Sequence, residues 1–359
     1  MSSRALLAAV ALAVPLATPM LAGTAPSTRT APSRPVPGDA RELVYVANAD
    51  GGPVTAYVST SSGSVTPVET IADPQLPDIV WDPWGVAVGP SSQVFVQGFI
   101  SDATTLVFGP GGATERRSFE VTSPDSESLG VDAAGYEYVM GGEGSPVVFV
   151  AAPGAAGVPD RLYHVKSLRE IPTGQTGYDP WSDTLAIGSH NQVIVSALEP
   201  SGNRIEVFEG GPSGSNTAVR TISGPNTGLG ACTDTSCDHV SVAYSTSTHC
   251  LDAAVSGPSG TRIEVFGPGA TGNARPRRLI AGGATRLAGK VITGIAVSAM
   301  SADIFVLAKG AQFQSPGAVE VFSGSENGDV APIYRFTDVA SRFADAEGIA
   351  VGVERRSTP

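Results

Sequence analysis

The chain is poor in the residues that most often carry chemistry. Its 359 residues include 3 cysteines, 4 histidines and 3 tryptophans, and aromatic side chains make up 6%. Four scattered histidines cannot assemble a multi-histidine zinc site. No Gly-x-Ser-x-Gly elbow occurs, which removes support for a hydrolase of that class. Glycine-rich stretches such as Gly210–Gly214 contain proline and open no helix, so they read as hairpin turns rather than phosphate cradles. Charged residues are only 16%, with a formal net charge of -12. A field of that sign repels phosphate backbones and acidic lipid surfaces, so neither nucleic acid nor membrane insertion is expected.

Long apolar runs are also missing, with one exception at the start. Arg4 is followed by Ala5–Leu16, twelve residues without a charge, and then by small residues through Gly23. A membrane span needs about 20 apolar residues, so residues 1–23 read as a secretory signal. Leu21-Ala22-Gly23 offers small or apolar residues for cleavage, whereas a cut after Ala25 would place Pro26 next to the scissile bond. Residues 24–41 are rich in Thr, Ser, Pro, Ala and Arg and read as a disordered spacer. Residues 353–359 form a polar tail. The expected product is secreted, extracellular or loosely attached to the cell wall, and monomeric.

What the chain has in quantity is Gly, 43, and Pro, 28, spread evenly as turn punctuation between short strands. A motif recurs six times, as Gly85-Val86-Ala87-Val88, Gly130-Val131-Asp132, Thr184–Ile187, Ser241–Tyr244, Gly294–Val297 and Gly348–Val351. The intervals are 45, 54, 57, 53 and 54 residues, which suits propeller blades. Three strand-like runs follow most copies as the second, third and fourth strands of a blade, the third strand ending in Phe108, Phe149, Phe208, Phe266 or Phe322. The amino-terminal runs Leu43–Ala47, Thr55–Tyr57 and Val68–Ile71 lack a first strand. Gly348–Val351 is a first strand lacking the other three. Joining the two ends completes a sixth sheet and removes two open edges. The predicted fold is all-β: a six-bladed propeller of four-stranded blades over residues 42–352, closed by the carboxy-terminal strand.

Within this pattern, Gly-Ile-Ala-Val, then Ile304-Phe305-Val306, and Ile263–Asn273 (IEVFGPGATGN) resemble the NHL-like, lactonase-like six-bladed propellers of secreted bacterial proteins. The resemblance covers residues 42 to 352 blade by blade. It implies a fold, and a function only among lactonases, lyases and plain binding platforms. It also implies a calcium held by residues just before the first-strand glycines, here Trp84, Leu129, Asp183, Val240, Thr293 and Glu347. Of these only Asp183 and Glu347 are hard-cation ligands, placed opposite each other across the channel.

The face bearing the loops that enter each first strand is the expected ligand face. All three tryptophans fall there, two in repeated tripeptides: Trp81, Asp82-Pro83-Trp84 and Asp179-Pro180-Trp181, the second preceded by Tyr178. Such residues can wall a pocket for a sugar, an apolar ring or a cationic group. Equally, Asp-Pro can make a turn that plugs Trp onto the blade below. His190 and His249 fall in turns on the opposite face and His164 within a fourth strand. His239 beside Asp238 is a candidate general base or an inert surface histidine. Cys232 and Cys237 bracket a polar loop and are the natural disulfide pair in an exported protein, leaving Cys250 buried at the start of a strand. Two functions follow. One is a non-catalytic propeller binding a small molecule, a carbohydrate or an extracellular protein. The alternative is a calcium-assisted lactonase or lyase using Asp183, Glu347 and His239.

Overall fold

The structure is a computed structural model describing residues 40–49, 52–72, 83–98, 103–110, 115–121, 126–141, 147–154, 156, 164–165, 184–197, 202–211, 217–233, 236–310, 316–340 and 342–355. All belong to one compact unit, Arg34–Pro359. Alternating branched and small residues at period two favour strands, and glycine-rich turns separate them. Six four-stranded antiparallel blades result, their strands ordered from the channel outward.

Blade 1 joins the ends. Ala346–Arg355 is its inner strand, followed by Ala40–Asn48, Val54–Val58 and Glu69–Ile71. The seam runs from Ala40 opposite Arg355 to Asn48 opposite Ala346, longer than any other inner hairpin. Its two strands extend slightly beyond the expected limits of 42 and 352. The inner strands of blades 2 to 6 are Pro83–Val88, Ser126–Val131, Leu185–Ile187, His239–Tyr244 and Lys290–Val297.

Neighbouring blades bury their faces against each other, so the molecule has several cores. Among the described residues there are six apolar clusters, each spanning one blade boundary. In the cluster between blades 1 and 2, Tyr45 and Ala350 of one blade meet Val86, Val94 and Phe108 of the other. Small residues on the inner strands set the spacing. A Cβ at Gly294 would lie 2.8 Å from Ile349 Cγ2, and one at Gly130 would lie 2.7 Å from Leu185 Cδ2. Side chains there cannot grow without moving a blade.

An outer seam was not anticipated. Gly63–Val65, in the turn between the third and fourth strands of blade 1, pairs in parallel with Phe336–Asp338 of blade 6. Single bridges repeat this contact at Ile222 with Gly272 and at Ile280 with Gly328. The Arg220 and Arg278 guanidiniums donate to the carbonyls of Ala270 (3.1 Å) and Glu326 (2.8 Å) beside those bridges.

Strand pairing corrects the repeat in blade 3. Gly130 faces Tyr138 across the hairpin, as Ala87 faces Phe95 and Ala296 faces Phe305. Gly130 is therefore the third residue of its copy, which begins at Ser128. Leu129 stands level with Val86 and Ile295, and the residue level with Trp84 is Glu127. Cys250 is buried, as expected, but lies one residue ahead of its strand, Leu251–Ser256.

Candidate functional site

The first residues of the corrected copies form two tiers at one end of the channel. Gly85, Ser128, Thr184, Ser241, Gly294 and Gly348 make one tier. Val86, Leu129, Leu185, Val242, Ile295 and Ile349 make the tier beneath, a ring of branched aliphatic side chains. Both tiers line one cavity of about 400 Å³, to which all six blades contribute. Trp84, His239, Thr293, Lys309 and Glu347 are also among its walls.

The residue preceding the first tier has unusual backbone geometry. In blade 1 the ladder skips Glu347 between Ala346 and Gly348, and in blade 2 it skips Trp84 between Pro83 and Gly85. Blade 3 skips Glu127 and blade 6 skips Thr293. A β-bulge turns a residue out of the pleat and re-aims it, and bulges gather beside binding sites. Here four blades place the bulge at one level, at Glu347, Trp84, Glu127 and Thr293.

Hydroxyls stitch the opposite half of the channel. The Leu185 backbone N–H donates to Ser128 Oγ at 2.9 Å, and the Val242 N–H donates to Thr184 Oγ1 at 2.7 Å. These bonds satisfy inward-facing edge groups of the first strands. Blades 6, 1 and 2 carry glycine at that position, and there the inner strands approach closely. A Cβ on Gly348 would sit 2.6 Å from the Trp84 carbonyl oxygen. Thr293 Oγ1 donates to the Ala346 carbonyl at 2.9 Å, tying blade 6 to blade 1.

Lys309 reaches the mouth because the inner hairpin of blade 6 is long, with Ile304–Gly310 carrying Lys309 opposite Val291. Its Nζ lies 2.5 Å from Glu347 Oε1, with side chains 13% and 26% exposed. Of the residues singled out in the sequence, Trp84, His239 and Glu347 therefore share one cavity. Trp81, Asp82, Tyr178, Asp179, Trp181 and Asp183 lie outside the described residues, as do the side chains of Glu127, His164, Cys232 and Cys237. The backbones of Cys232 and Cys237 face each other in a two-stranded ribbon. His190 and His249 sit in left-handed turns between first and second strands, at the opposite end from the cavity.

Asp238 does not serve His239. Its carboxylate accepts from the backbone N–H of Ser259 at 2.9 Å and of Ala231 at 3.3 Å, which pins the loops of blade 5. Of the two expected calcium ligands, Glu347 contacts the Lys309 ammonium and Asp183 lies outside the described residues, among which no group of three His, Cys, Asp or Glu side chains clusters.

The carboxyls most perturbed by their surroundings lie away from this mouth. Burial pushes Asp252 up to about 7, with Arg278 opposing. It stands on the second strand of blade 5 where blades 1, 2, 3 and 6 place Tyr45, Phe95, Tyr138 and Phe305. Glu69 is raised to about 7 by burial and by Glu354, with Arg41 opposing.

Sequence reasoning missed Lys309, Thr293 as a staple, and the hydroxyl tier. The repeat register held the signal for Ser128, Thr184 and Ser241. Lys309 lies beyond the repeated run and had none.

No protein-family profile and no curated protein matches the sequence. Solved structures do. The chain is similar to a protein of unknown function from Bacteroides caccae, with a TM-score of 0.54 and 10% identity, covering 87% of this chain and 98% of that one. It is also similar to the Dos1 propeller, with a TM-score of 0.46 and 10% identity, over 83% and 69% of the two chains. A third is the β-propeller domain of Myceliophteria thermophila Cps50 (Swd1), with a TM-score of 0.45 and 14% identity, over 72% and 73%. At such identities the first likeness concerns the fold alone, and the other two carry no argument.

Proposed function

We propose that the protein is a binding propeller whose ligand, a small molecule or carbohydrate, enters the channel mouth walled by Trp84, Thr293, Lys309 and Glu347. The observation that carries this reading is the β-bulge repeated at one level in four blades, three of which bring their bulged residue, Glu347, Trp84 or Thr293, to the wall of one shared cavity. A purely structural repeat has no need to break its ladder four times at one level. The blade-level resemblance to NHL-like, lactonase-like propellers supports a ligand at this end. Binding without turnover is favoured because the carboxylate beside His239 is committed to backbone N–H groups.

The test is a fragment and monosaccharide screen by saturation-transfer NMR. Hits should be lost in Trp84→Ala and Thr293→Val. Hits retained in both variants would remove the mouth as the site. For the calcium-assisted alternative, the melting temperature should stay constant up to millimolar calcium; a rise abolished by Glu347→Ala would restore it.

Export belongs to the same proposal and is supported by the basic, then apolar sequence of residues 1–23. So does a Cys232–Cys237 disulfide, supported by their facing backbone positions. Alkylation with and without reduction checks the bridge: both thiols should react only after reduction, and Cys250 only after unfolding.

A further inference from the structure

We infer that the ligand is an organic cation: an ammonium group on an apolar body, its charge received by Glu347 and Trp84. The inference rests on the reading that the mouth binds a small molecule. Blades 1, 2 and 3 are consecutive, and their bulged positions hold Glu347, Trp84 and Glu127 in turn. Adjacent blades 1 and 2 thus bring a carboxylate and an indole to one arc of the cavity wall. The arc is tight between blades 1 and 2, where the Trp84 carbonyl stands 2.6 Å from a Cβ built on Gly348. A carboxylate pairs with an ammonium directly, and the face of an indole attracts a cation through its quadrupole.

The chain supplies its own example of the contact. Lys309 presents an ammonium to Glu347 at 2.5 Å, in a setting where its side chain is only 13% exposed. Glu347 is thus built to receive an ammonium at the mouth, and Lys309 is the resident one. A ligand ammonium shares Glu347 with Lys309, whose flexible four-carbon stem can swing the head aside. Below them, the aliphatic ring from Val86 to Ile349 offers a surface for an apolar body. The formal charge of -12 also draws cations toward the protein and repels anions.

Isothermal titration of the full chain with phenethylammonium, 2-phenylethanol and phenylacetate separates the possibilities, because the three share one aromatic body. Phenethylammonium should bind about tenfold more tightly than the alcohol, the worth of one partly desolvated charge pair, and phenylacetate most weakly. Glu347→Gln should remove about that tenfold advantage. Lys309→Met, by removing the competing ammonium, should strengthen phenethylammonium about threefold or more. Both substitutions should change the affinity of the alcohol less than that of phenethylammonium. The two variants act in opposite directions, so a folding defect in one leaves the other decisive. Equal affinity for alcohol and ammonium overturns the cation inference and leaves the mouth standing as a binding site. No binding of phenethylammonium at millimolar concentration also overturns it, while the wider fragment screen judges the mouth separately.

Discussion

The blade boundaries and the channel mouth are built from the same six repeats, yet they treat repetition in opposite ways. At the boundaries the copies agree: Ala87, Ala186, Ala243, Ala296 and Ala350 occupy equivalent inner-strand positions, and Tyr45, Phe95, Tyr138 and Phe305 fill the matching positions on second strands. Three residues earlier in these strands the copies diverge into Trp84, Glu127, Val240, Thr293 and Glu347. Packing between near-identical wedges demands sameness, because each blade must fit its neighbour at close range. Recognition of an asymmetric molecule demands the reverse. Where the repeat holds, the residues keep the ring together, and where it fails they mark a site.

Variants can break that contrast, beginning with the ring. Removing residues 346–359 takes away the inner strand of blade 1 and exposes the edge of Ala40–Asn48. The truncated chain should lose cooperative thermal unfolding and aggregate. A sharp transition near that of the intact protein would show that the seam is dispensable. Phe305→Ala empties a fully buried position between blades 6 and 1 and should cost about 3–5 kcal/mol in denaturant unfolding.

Asp252 is the exception within a boundary, and it makes stability depend on pH. Its folded value, about 7, lies above its ordinary 3.8. The folded state then holds the proton more tightly, so this contribution is complete at low pH and is lost as pH rises from about 4 to 7. Asp252→Asn should flatten the dependence and raise stability at pH 8 by about 2–4 kcal/mol. An unchanged pH profile in this variant would remove Asp252 as its source. Glu69, also raised to about 7, adds a fall in the same direction.

Smaller effects are expected toward the channel. Thr184→Val deletes the acceptor of the Val242 N–H and should cost about 1 kcal/mol. At the rim, Trp84→Ala and Thr293→Val should each change ligand binding far more than stability. A large stability loss at either position would place it with the packing residues.

Much of this was legible because propeller blades advertise themselves. Val-Ala-Val runs at even spacing identify first strands, and the incomplete sets at the two ends of the chain predict the seam. Gly130-Val131-Asp132 misled because glycine occurs both at the first position, as in Gly294, and at the third, where it replaces alanine. Only the partner strand distinguishes them, since Gly130 lies opposite Tyr138. The bulges were invisible for a related reason: an extra residue in one strand has meaning only against its neighbour. Lys309 owes its place to the length of one hairpin, and Asp238, conspicuous beside His239, is held by the backbone groups of Ala231 and Ser259 on either side of it in sequence.

Methyl-labelled protein offers the most direct measurement. The ring of Val86, Leu129, Leu185, Val242, Ile295 and Ile349 supplies a reporter from every blade. Titration with any fragment hit should move these six sets of methyl resonances together and leave those of the outer strands, such as Ile222 and Ile280, in place. Hits that shift outer-strand methyls while the ring stays silent would contradict a ligand site at the channel mouth.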